Sequence, residues 1–178
     1  MKNFSLLITG LLVLGVTAGC ASIGAYDGSS LVAGSSTAAE VQAVMGDPAE
    51  KITVGGDTLW WYPRQSTVGR RSYAVVVGPN NVVKGVEQRL TEDNLKRIVV
   101  DKTTQQDLRA LMGPPYYTLR YRGRDGDSWE YRMAPGHVDM WMVLSVRFDG
   151  SGVVKDVTYV ADPIRQNLMR DNNDRRVP

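Results

Sequence analysis

Two stretches of this 178-residue chain decide its fold: STAAEVQAVMGDP at residues 36–48 and TTQQDLRALMGPP at residues 103–115. Each begins with two hydroxyl residues, so the candidate cap is Ser36 or Thr37 in the first and Thr103 or Thr104 in the second. An acidic residue, apolar residues spaced i, i+3 and i+4, and a Gly-x-Pro sequence follow in both. A hydroxyl cap opens a helix, one apolar stripe packs it, and glycine followed by proline ends it. Both stretches therefore predict a short amphipathic helix, the second 67 residues after the first.

The similarity continues beyond these helices, which indicates an internal repeat. WWY at residues 60–62 matches WEY at residues 129–131, and VVKGV at residues 82–86 matches VVKDV at residues 153–157. Matches that recur in the same order are typical of a duplicated supersecondary unit. The sequence therefore predicts two copies of one unit.

We place repeat 1 at residues 31–97 and repeat 2 at residues 98–163, with an extra short helix at residues 91–100 opening the second copy. Turn sequences rich in Gly, Pro, Asn and Asp separate strand-like runs in both copies. These runs lie near residues 50–54, 58–63, 72–78, 82–88, 116–122, 127–133, 141–148 and 153–160. The predicted fold class is α+β: two tandem repeats, each with one or two short helices packed on one face of a four-stranded antiparallel sheet.

Residues 1–19 are typical of a bacterial lipoprotein signal peptide. Lys2 supplies the positive charge, and the apolar run at residues 6–16 is too short to span a bilayer. The run ends in TAGC at residues 17–20, which resembles a lipobox, and Cys20 is the only cysteine of the chain. We expect cleavage before Cys20 and its lipidation, palmitate included. A plain secretory signal followed by an incidental cysteine is the alternative.

The segments that flank the repeats are predicted to be mobile. Residues 20–30 are small, polar and rich in Gly and Ser, which is typical of a flexible tether from the lipidated cysteine. Residues 164–178 are polar and lack a sustained apolar period, so we expect a mobile tail. By analogy with lipoprotein sorting, Ala21 after the cysteine favours the outer membrane, with the protein on the periplasmic face.

Composition argues against several classes of function. Lys+Arg of 21 against Asp+Glu of 19 gives a net charge of +2, which provides no field for nucleic acid. One Cys and one His leave no Cys/His metal cluster and no nucleophile motif. His137 and the Asp125–Asp127 segment are interpreted as loop and turn residues. We therefore expect no enzyme activity, no metal, no cofactor and no small-molecule substrate.

Taken together, the lipobox, the capped helix ending in Gly-x-Pro, the Trp-x-Tyr strand and the Val-Val-x-x-Val strand resemble the BamE/SmpA/OmlA family of outer-membrane lipoproteins. That resemblance implies an accessory role in the machinery that inserts β-barrel proteins. The doubled unit is also similar to the tandem fold of the β-lactamase inhibitor protein, which implies a concave sheet offered to a protein partner.

Strand alternation separates the two faces of each predicted sheet. In repeat 1, Trp60 and Tyr62 are expected to point toward the helix, and Trp61 away from it. In repeat 2, Trp129, Tyr131 and the even-numbered residues of 140–148 are expected inward. The predicted open, partner-binding face comprises Trp61, Val76, Arg120, Arg122, Arg132, Trp141, Val143 and Arg147.

Tryptophan and arginine are enriched at interface hot spots, so this face is a candidate dock for another envelope protein. The alternative is a solvated sheet face with some side chains tucked against the other copy. Our leading hypothesis is a non-enzymatic outer-membrane lipoprotein acting as an interaction module in envelope and β-barrel assembly. An inhibitor or regulator of a periplasmic enzyme is the second hypothesis, an enzyme of the cell wall or lipid the third, and a peptidoglycan anchor the fourth.

Overall fold

The computed structural model describes residues 27–66, 69–123, 125–133 and 142–162. These residues form two four-stranded antiparallel sheets and three short helices. Strand order follows chain order in both sheets, so each is a simple meander. The predicted fold class, α+β with two repeated sheet units, is confirmed.

Repeat 1 consists of one helix followed by sheet 1. Its elements are α1 (Ala38–Met45), β1 (Glu50–Val54), β2 (Asp57–Ser66), β3 (Gly69–Val77) and β4 (Val83–Gln88). Repeat 2 is described together with a short helix that precedes residue 98, because Leu95 of that helix packs on the core of this repeat; a longer helix and sheet 2 follow. Its elements are α2 (Glu92–Leu95), α3 (Gln105–Met112), β5 (Tyr117–Leu119), β6 (Ser128–Met133), β7 (Met142–Phe148) and β8 (Val154–Ala161).

The two longer helices begin and end alike. The backbone N–H of Thr37 donates to Glu40 at 2.7 Å and that of Thr104 donates to Asp107 at 2.9 Å, while each hydroxyl accepts the N–H of the same acidic residue. These reciprocal bonds are capping boxes, which satisfy N–H groups that the first turn leaves unpaired. The threonine backbone N–H and hydroxyl both donate to the carboxylate, which lowers the pKa of Glu40 and of Asp107.

The inward-facing residues predicted from strand alternation form the two cores. In repeat 1, Val41 and Met45 of α1 pack on the inner face of sheet 1, which includes Trp60 and Tyr62. In repeat 2, Leu108, Leu111 and Met112 of α3 pack on Trp129, Tyr131, Met133, Leu144, Val146 and Phe148. The inner face of each sheet is therefore the one under its own helix, and its opposite side is called the outer face below.

Helix α3 has a second contact, with the outer face of sheet 1. Arg109 reaches β1, and Gly113, which follows the helix, lies against Trp61 of β2. Helix α3 therefore lies between parts of the two sheets, which also contact each other directly through β3 and β6. The outer face of sheet 1 is inside the molecule, and the outer face of sheet 2 ends the stack.

Several of the predicted features lie wholly or partly in residues outside the described ranges. The signal peptide at 1–19, the lipidation site Cys20, the tail at 164–178, His137 and Trp141 lie outside the described residues. The predicted tether at residues 20–30 is described from Asp27 onward, where Gly28 is buried against Met45 and Val86. Among the described helices, none is long and apolar enough to cross a membrane.

Candidate interaction surfaces

The outer face of sheet 1 is an apolar surface that repeat 2 covers. Leu59, Trp61 and Ala74 form a buried cluster on it, with Ile52 and Val76 packed at its margin. Antiparallel register places Leu59 opposite Val76 and Trp61 opposite Ala74, so all four side chains share one face. Burial of this face joins the two repeats into one body.

Trp61 is the centre of that contact. It is 0% exposed, and a methyl group added at Gly113 would lie 2.5 Å from its Cε3 atom. Because glycine has no side chain, the indole ring can reach the backbone at the end of α3. The indole Nε1 and the Ser72 hydroxyl are buried with no hydrogen-bond partner in the described ranges, so the contact relies on apolar packing.

The expectation that Trp61 and Val76 lie on an open face is therefore wrong. Strand alternation correctly turns both side chains away from α1, but Gly113 at the end of α3 lies against Trp61, and Val76 lines a cleft that α3 also lines. Trp61 is fully buried and Val76 is half-buried. Trp61 offers no accessible surface to another protein, and Val76 offers only the part of its side chain that lines the cleft beside α3.

One ion pair crosses the same junction. Nε of Arg109 lies 2.7 Å from Oε1 and 2.9 Å from Oε2 of Glu50, which joins α3 to the edge strand β1. The Arg109 guanidinium also lies 5.5 Å from the centre of the Trp129 ring. Charge and packing thus fix the position of α3 between the sheets.

A cleft of about 640 Å³ remains beside α3, between the two repeats. Its lining includes Leu59, Val76, Glu87, Val99, Asp107 and Ala110. Glu87 pairs with Arg89, and Asp107 caps α3. These acids already have structural partners. The cleft is therefore best explained as the boundary between the two repeats. No local sequence pattern predicts this cleft, because it forms only where one repeat packs on the other.

The outer face of sheet 2 is polar and accessible. Register places Ser128 opposite Arg147 and Glu130 opposite Ser145, with Thr158 next to Ser145 on β8. Ser128 is buried at the edge of the face, whereas Glu130, Ser145, Arg147 and Thr158 are half-buried or exposed. Within the described ranges, neither Glu130 nor Arg147 forms an ion pair.

Three of the predicted partner-binding residues lie on this face. Arg132 and Val143 are opposite each other, and Arg147 is further along β7. The Arg132 Nε lies 3.7 Å from the Asp162 carboxylate, which is itself buried at the end of β8. Arg132 is thus held by the fold, whereas Arg147 remains available.

The prediction that Arg120 and Arg122 belong to the open face is wrong. Strand β5 ends at Leu119, so both arginines lie in the following hairpin, where they are exposed. Nε of Arg120 donates to the Asp127 carboxylate at 2.8 Å across that hairpin. Asp127 is thus a turn residue, as its sequence context indicates.

Tyr117 occupies the place on the face that these arginines were expected to fill. It lies opposite Glu130, is 47% exposed, and stacks beside Tyr116 with 4.1 Å between ring centres. The guanidinium of Arg70 lies 3.6 Å from the centre of the Tyr116 ring. The hydrogen bond with Tyr117 lowers the pKa of Tyr116, and the positive charges of Arg70 and Arg132 lower it further. Tyr117 was missed because the run at residues 116–122 was assigned the opposite alternation.

No group of three or more His, Cys, Asp or Glu side chains in the described ranges could hold a metal ion. The available geometry is that of two sheet faces, one buried and one accessible. The accessible face combines cationic, anionic, aromatic and small side chains, which suits recognition of a protein surface.

No protein-family model matches the chain, and no curated protein matches it. Two solved structures are similar to it. One is described as an osmotically inducible lipoprotein, OsmE, with 25% identity over 49% of this chain and 82% of the other, at a TM-score of 0.30. The other is YjgB, a DUF4309 family protein from Bacillus subtilis, with 15% identity over 75% of this chain and 84% of the other, also at a TM-score of 0.30. Both superpositions are loose, and no functional conclusion is drawn from either.

Proposed function

We propose that this chain is a non-enzymatic lipoprotein of the outer membrane that faces the periplasm and binds another envelope protein. The machinery that inserts β-barrel proteins is the expected setting, because the repeated unit resembles the BamE/SmpA/OmlA family. The proposal combines an anchor, which is argued from the sequence, with a docking face, which is argued from the fold.

The observation that carries the docking part is the contrast between the two outer faces. The outer face of sheet 1 is apolar and mostly covered by repeat 2: Leu59, Trp61 and Ala74 are buried, and the half-buried Val76 lines the cleft beside α3. The outer face of sheet 2 ends the stack, with Tyr117, Glu130, Val143 and Arg147 half-buried or exposed. A face of this composition can bind and release a partner, since no large apolar area is left in water.

The anchor part is supported by the position of Cys20. The only cysteine of the chain follows a small-residue junction at the end of an apolar run. Lipid chains at this residue would tether the repeats to a membrane surface without a spanning helix. The described fold begins at Asp27, so only residues 21–26 separate it from Cys20.

The docking part is tested by recovering barrel-assembly subunits with tagged protein from solubilised envelopes. We expect Val143→Lys to reduce the recovery at least about tenfold, because a long charged side chain replaces an apolar one in the middle of the face. Val32→Lys is the matched control, since Val32 is 60% exposed on repeat 1. Equal recovery with both variants would contradict the proposal. Recovery of one periplasmic hydrolase in place of the assembly subunits would favour an enzyme inhibitor.

The anchor part is tested separately with Cys20→Ala. We expect the native chain to incorporate labelled palmitate and to sediment with outer membranes. The variant should lose the label and appear in the soluble periplasmic fraction. Palmitate labelling that persists in Cys20→Ala would contradict the assignment of the anchor.

A further inference from the structure

Two arginines from different repeats meet at one end of the accessible face of sheet 2. The guanidinium of Arg70, on β3, lies 3.6 Å from the centre of the Tyr116 ring, and that of Arg132, on β6, lies 5.0 Å from the same centre. Arg132 also lies 6.0 Å from the centre of the Tyr117 ring. These four residues are called the arginine–tyrosine cluster. Because β3 and β6 belong to different sheets, the cluster exists only when the repeats are packed together.

The cluster carries positive charge that its own contacts do not neutralise. The Nε–H of Arg70 donates to the neutral Gln65 side chain at 2.9 Å, and no acid in the described ranges forms an ion pair with Arg70. Partial burial lowers the pKa of Arg70, and repulsion by Arg132 lowers it further, although Tyr116 opposes both effects. An anion placed against both guanidinium groups would relieve this repulsion.

The acids of this face are placed so that they do not fill that role. Asp162 lies 3.7 Å from Nε of Arg132, but it is 1% exposed and approaches from inside the fold. Glu130, two residues before Arg132 on the same face, forms no ion pair with either arginine of the cluster. Asp156 is opposite Arg147, roughly 13 Å further along the strands, so it balances the other end of the face. Two arginines and one buried carboxylate therefore leave one positive charge in excess.

Apolar side chains border the cluster and indicate the kind of anion that fits. Register places Arg132 opposite Val143 and Val143 opposite Val160, and Val160 is 48% exposed. A free phosphate or a lipid head group would balance the charge but leave these valines in water. A protein segment with an acidic side chain beside an apolar one would satisfy both parts of the surface. One carboxylate also supplies the single negative charge that is missing, through paired N–H donors of a guanidinium.

We propose that Arg70 and Arg132 form a carboxylate-binding site for a partner protein, which places an acidic side chain against both guanidinium groups and packs an adjacent apolar side chain on Val143 and Val160. The inference rests on the proposed function, because the site lies at one end of the same docking face. It adds the chemistry of the partner segment. It also makes binding depend on both repeats, since each contributes one arginine.

The segments of the chain nearest to the site are less suitable occupants than a separate protein. Residues 163–178 follow Asp162 and contain four arginines and two aspartates, so they would add positive charge to the cluster. Residues 134–141, between β6 and β7, contain a single acid, Asp139, and lie outside the described residues. The experiment therefore includes Asp139→Asn.

The experiment places a photoreactive amino acid at Thr158 of the full lipidated chain in cells and identifies the crosslinked peptides by mass spectrometry. Thr158 is exposed two residues from Val160, so the probe reaches the docked segment without replacing a residue of the site. We expect adducts in another envelope protein, at a segment with an acidic residue next to an apolar one. Arg70→Glu should reduce the adduct yield at least about tenfold, and Arg70→Gln should reduce it less. Asp139→Asn should leave it unchanged.

Arg71→Glu is the matched control. It makes the same change of charge one residue along β3, where strand alternation turns the side chain to the opposite face of sheet 1. Arg71 is exposed there and donates to the Tyr73 hydroxyl at 3.2 Å. This variant should keep the native adduct yield. Replacing the acidic residue of the partner with lysine should restore the yield with Arg70→Glu.

The outcomes separate the inference from the function on which it rests. Adducts in an envelope protein whose yield falls with Val143→Lys but not with Arg70→Glu, or equally with Arg70→Glu and Arg71→Glu, would overturn the carboxylate site and leave the docking function standing. Adducts in residues 134–141 or 163–178, or in a second copy of the chain, would overturn a separate protein as the occupant. Adducts in lipid alone, or no adducts from variants that are folded by circular dichroism, would overturn both the site and the docking function.

Discussion

The outer faces of the two sheets have the same strand register, but the side chains on one are apolar and those on the other are polar. Residue pairs that are apolar in sheet 1 are polar in sheet 2, in the same register: Leu59–Val76 against Ser128–Arg147, and Trp61–Ala74 against Glu130–Ser145. The inner faces, in contrast, are apolar in both copies. Divergence between the two repeats is thus concentrated on one face.

This difference matches the position of each sheet in the described part of the chain. An apolar outer face requires a further helix to cover it, and α3 supplies that cover for sheet 1. A polar outer face requires none, so it ends the series, as the polar caps of repeat proteins do. The same change that stops the stacking leaves a face with charges available for a separate protein.

The largest expected effect is that of Trp61→Ala. Removing the indole leaves a cavity between the repeats, which should lower the free energy of unfolding by about 3–5 kcal/mol. Glu130→Ala, at the equivalent position of sheet 2, should change it by less than about 0.5 kcal/mol, because this side chain is partly solvated. Urea denaturation followed by circular dichroism measures both changes. Similar losses of unfolding free energy in the two variants would mean that the two outer faces contribute equally to stability.

How far the sequence predicts this fold can be judged from the same residues. The two capped helices and the inward residues Trp60, Tyr62, Trp129 and Tyr131 follow from spacing alone, which leaves two candidate caps at each helix; the structure selects Thr37 and Thr104. Caps and alternation are local properties, determined by neighbours a few positions away. They were predicted correctly for that reason.

The position of Trp61 required information that local spacing does not contain. Alternation places its side chain outside sheet 1 but does not show that α3, some fifty residues later in the chain, lies over it. The signal that could have revealed this is the comparison of the copies, where Trp61 becomes Glu130 and Val76 becomes Arg147. An apolar face in one copy and a polar face in the other indicates which of them is covered. The docking role of Arg132, Val143 and Arg147 stays a prediction.

The next largest effect is the difference in stability cost between alanine substitutions at two equivalent glycines. Gly46 and Gly113 both follow a helix, with φ of 78° and 81°, a conformation that side chains rarely adopt. Alanine should cost about 1–3 kcal/mol at either position through backbone strain. At Gly113 its methyl group would also lie 2.5 Å from Trp61, whereas at Gly46 it would meet nothing within 4 Å. Gly113→Ala should therefore cost about 1–3 kcal/mol more than Gly46→Ala in urea denaturation. Equal costs would show that the Trp61 side chain moves away from the added methyl group without a measurable loss of stability.

A smaller effect is expected from the tyrosines that bind these glycines. The Tyr131 hydroxyl donates to the Gly113 carbonyl at 3.1 Å and the Tyr62 hydroxyl to the Gly46 carbonyl at 3.0 Å. Phenylalanine at either position should lower the free energy of unfolding by about 1–2 kcal/mol, because the glycine carbonyl loses its hydrogen-bond donor. Denaturation of both variants at pH 7 measures this cost.

The same tyrosines predict a loss of stability at high pH. Burial raises the pKa of Tyr62 to about 12 and that of Tyr131 further still. Below pH 10 both phenols are neutral in the folded and unfolded chains, and their contribution is complete. Above pH 10 the unfolded chain ionises first, so stability falls as pH rises toward 12 and beyond. Tyr131→Phe should reduce this fall more than Tyr62→Phe does, which unfolding curves between pH 9 and pH 12 would measure. A fall of unchanged steepness in Tyr131→Phe would contradict its assignment to this residue.

The smallest expected effect concerns the ion pair that crosses between the repeats. Arg109 and Glu50 are partly exposed, with side-chain exposures of 36% and 23%, so solvent weakens their attraction. A double-mutant cycle with Arg109→Met and Glu50→Gln should give a coupling energy of about 0.5–1 kcal/mol. The cycle with Lys96→Met and Asp93→Asn is the control, because this pair is highly exposed within repeat 2 and should give less than about 0.5 kcal/mol. Sheet 2 has Tyr117 where sheet 1 has Glu50, so the pair belongs to the covered face alone. A coupling no larger than that of the control would mean that apolar packing around Trp61 positions α3 without help from charge.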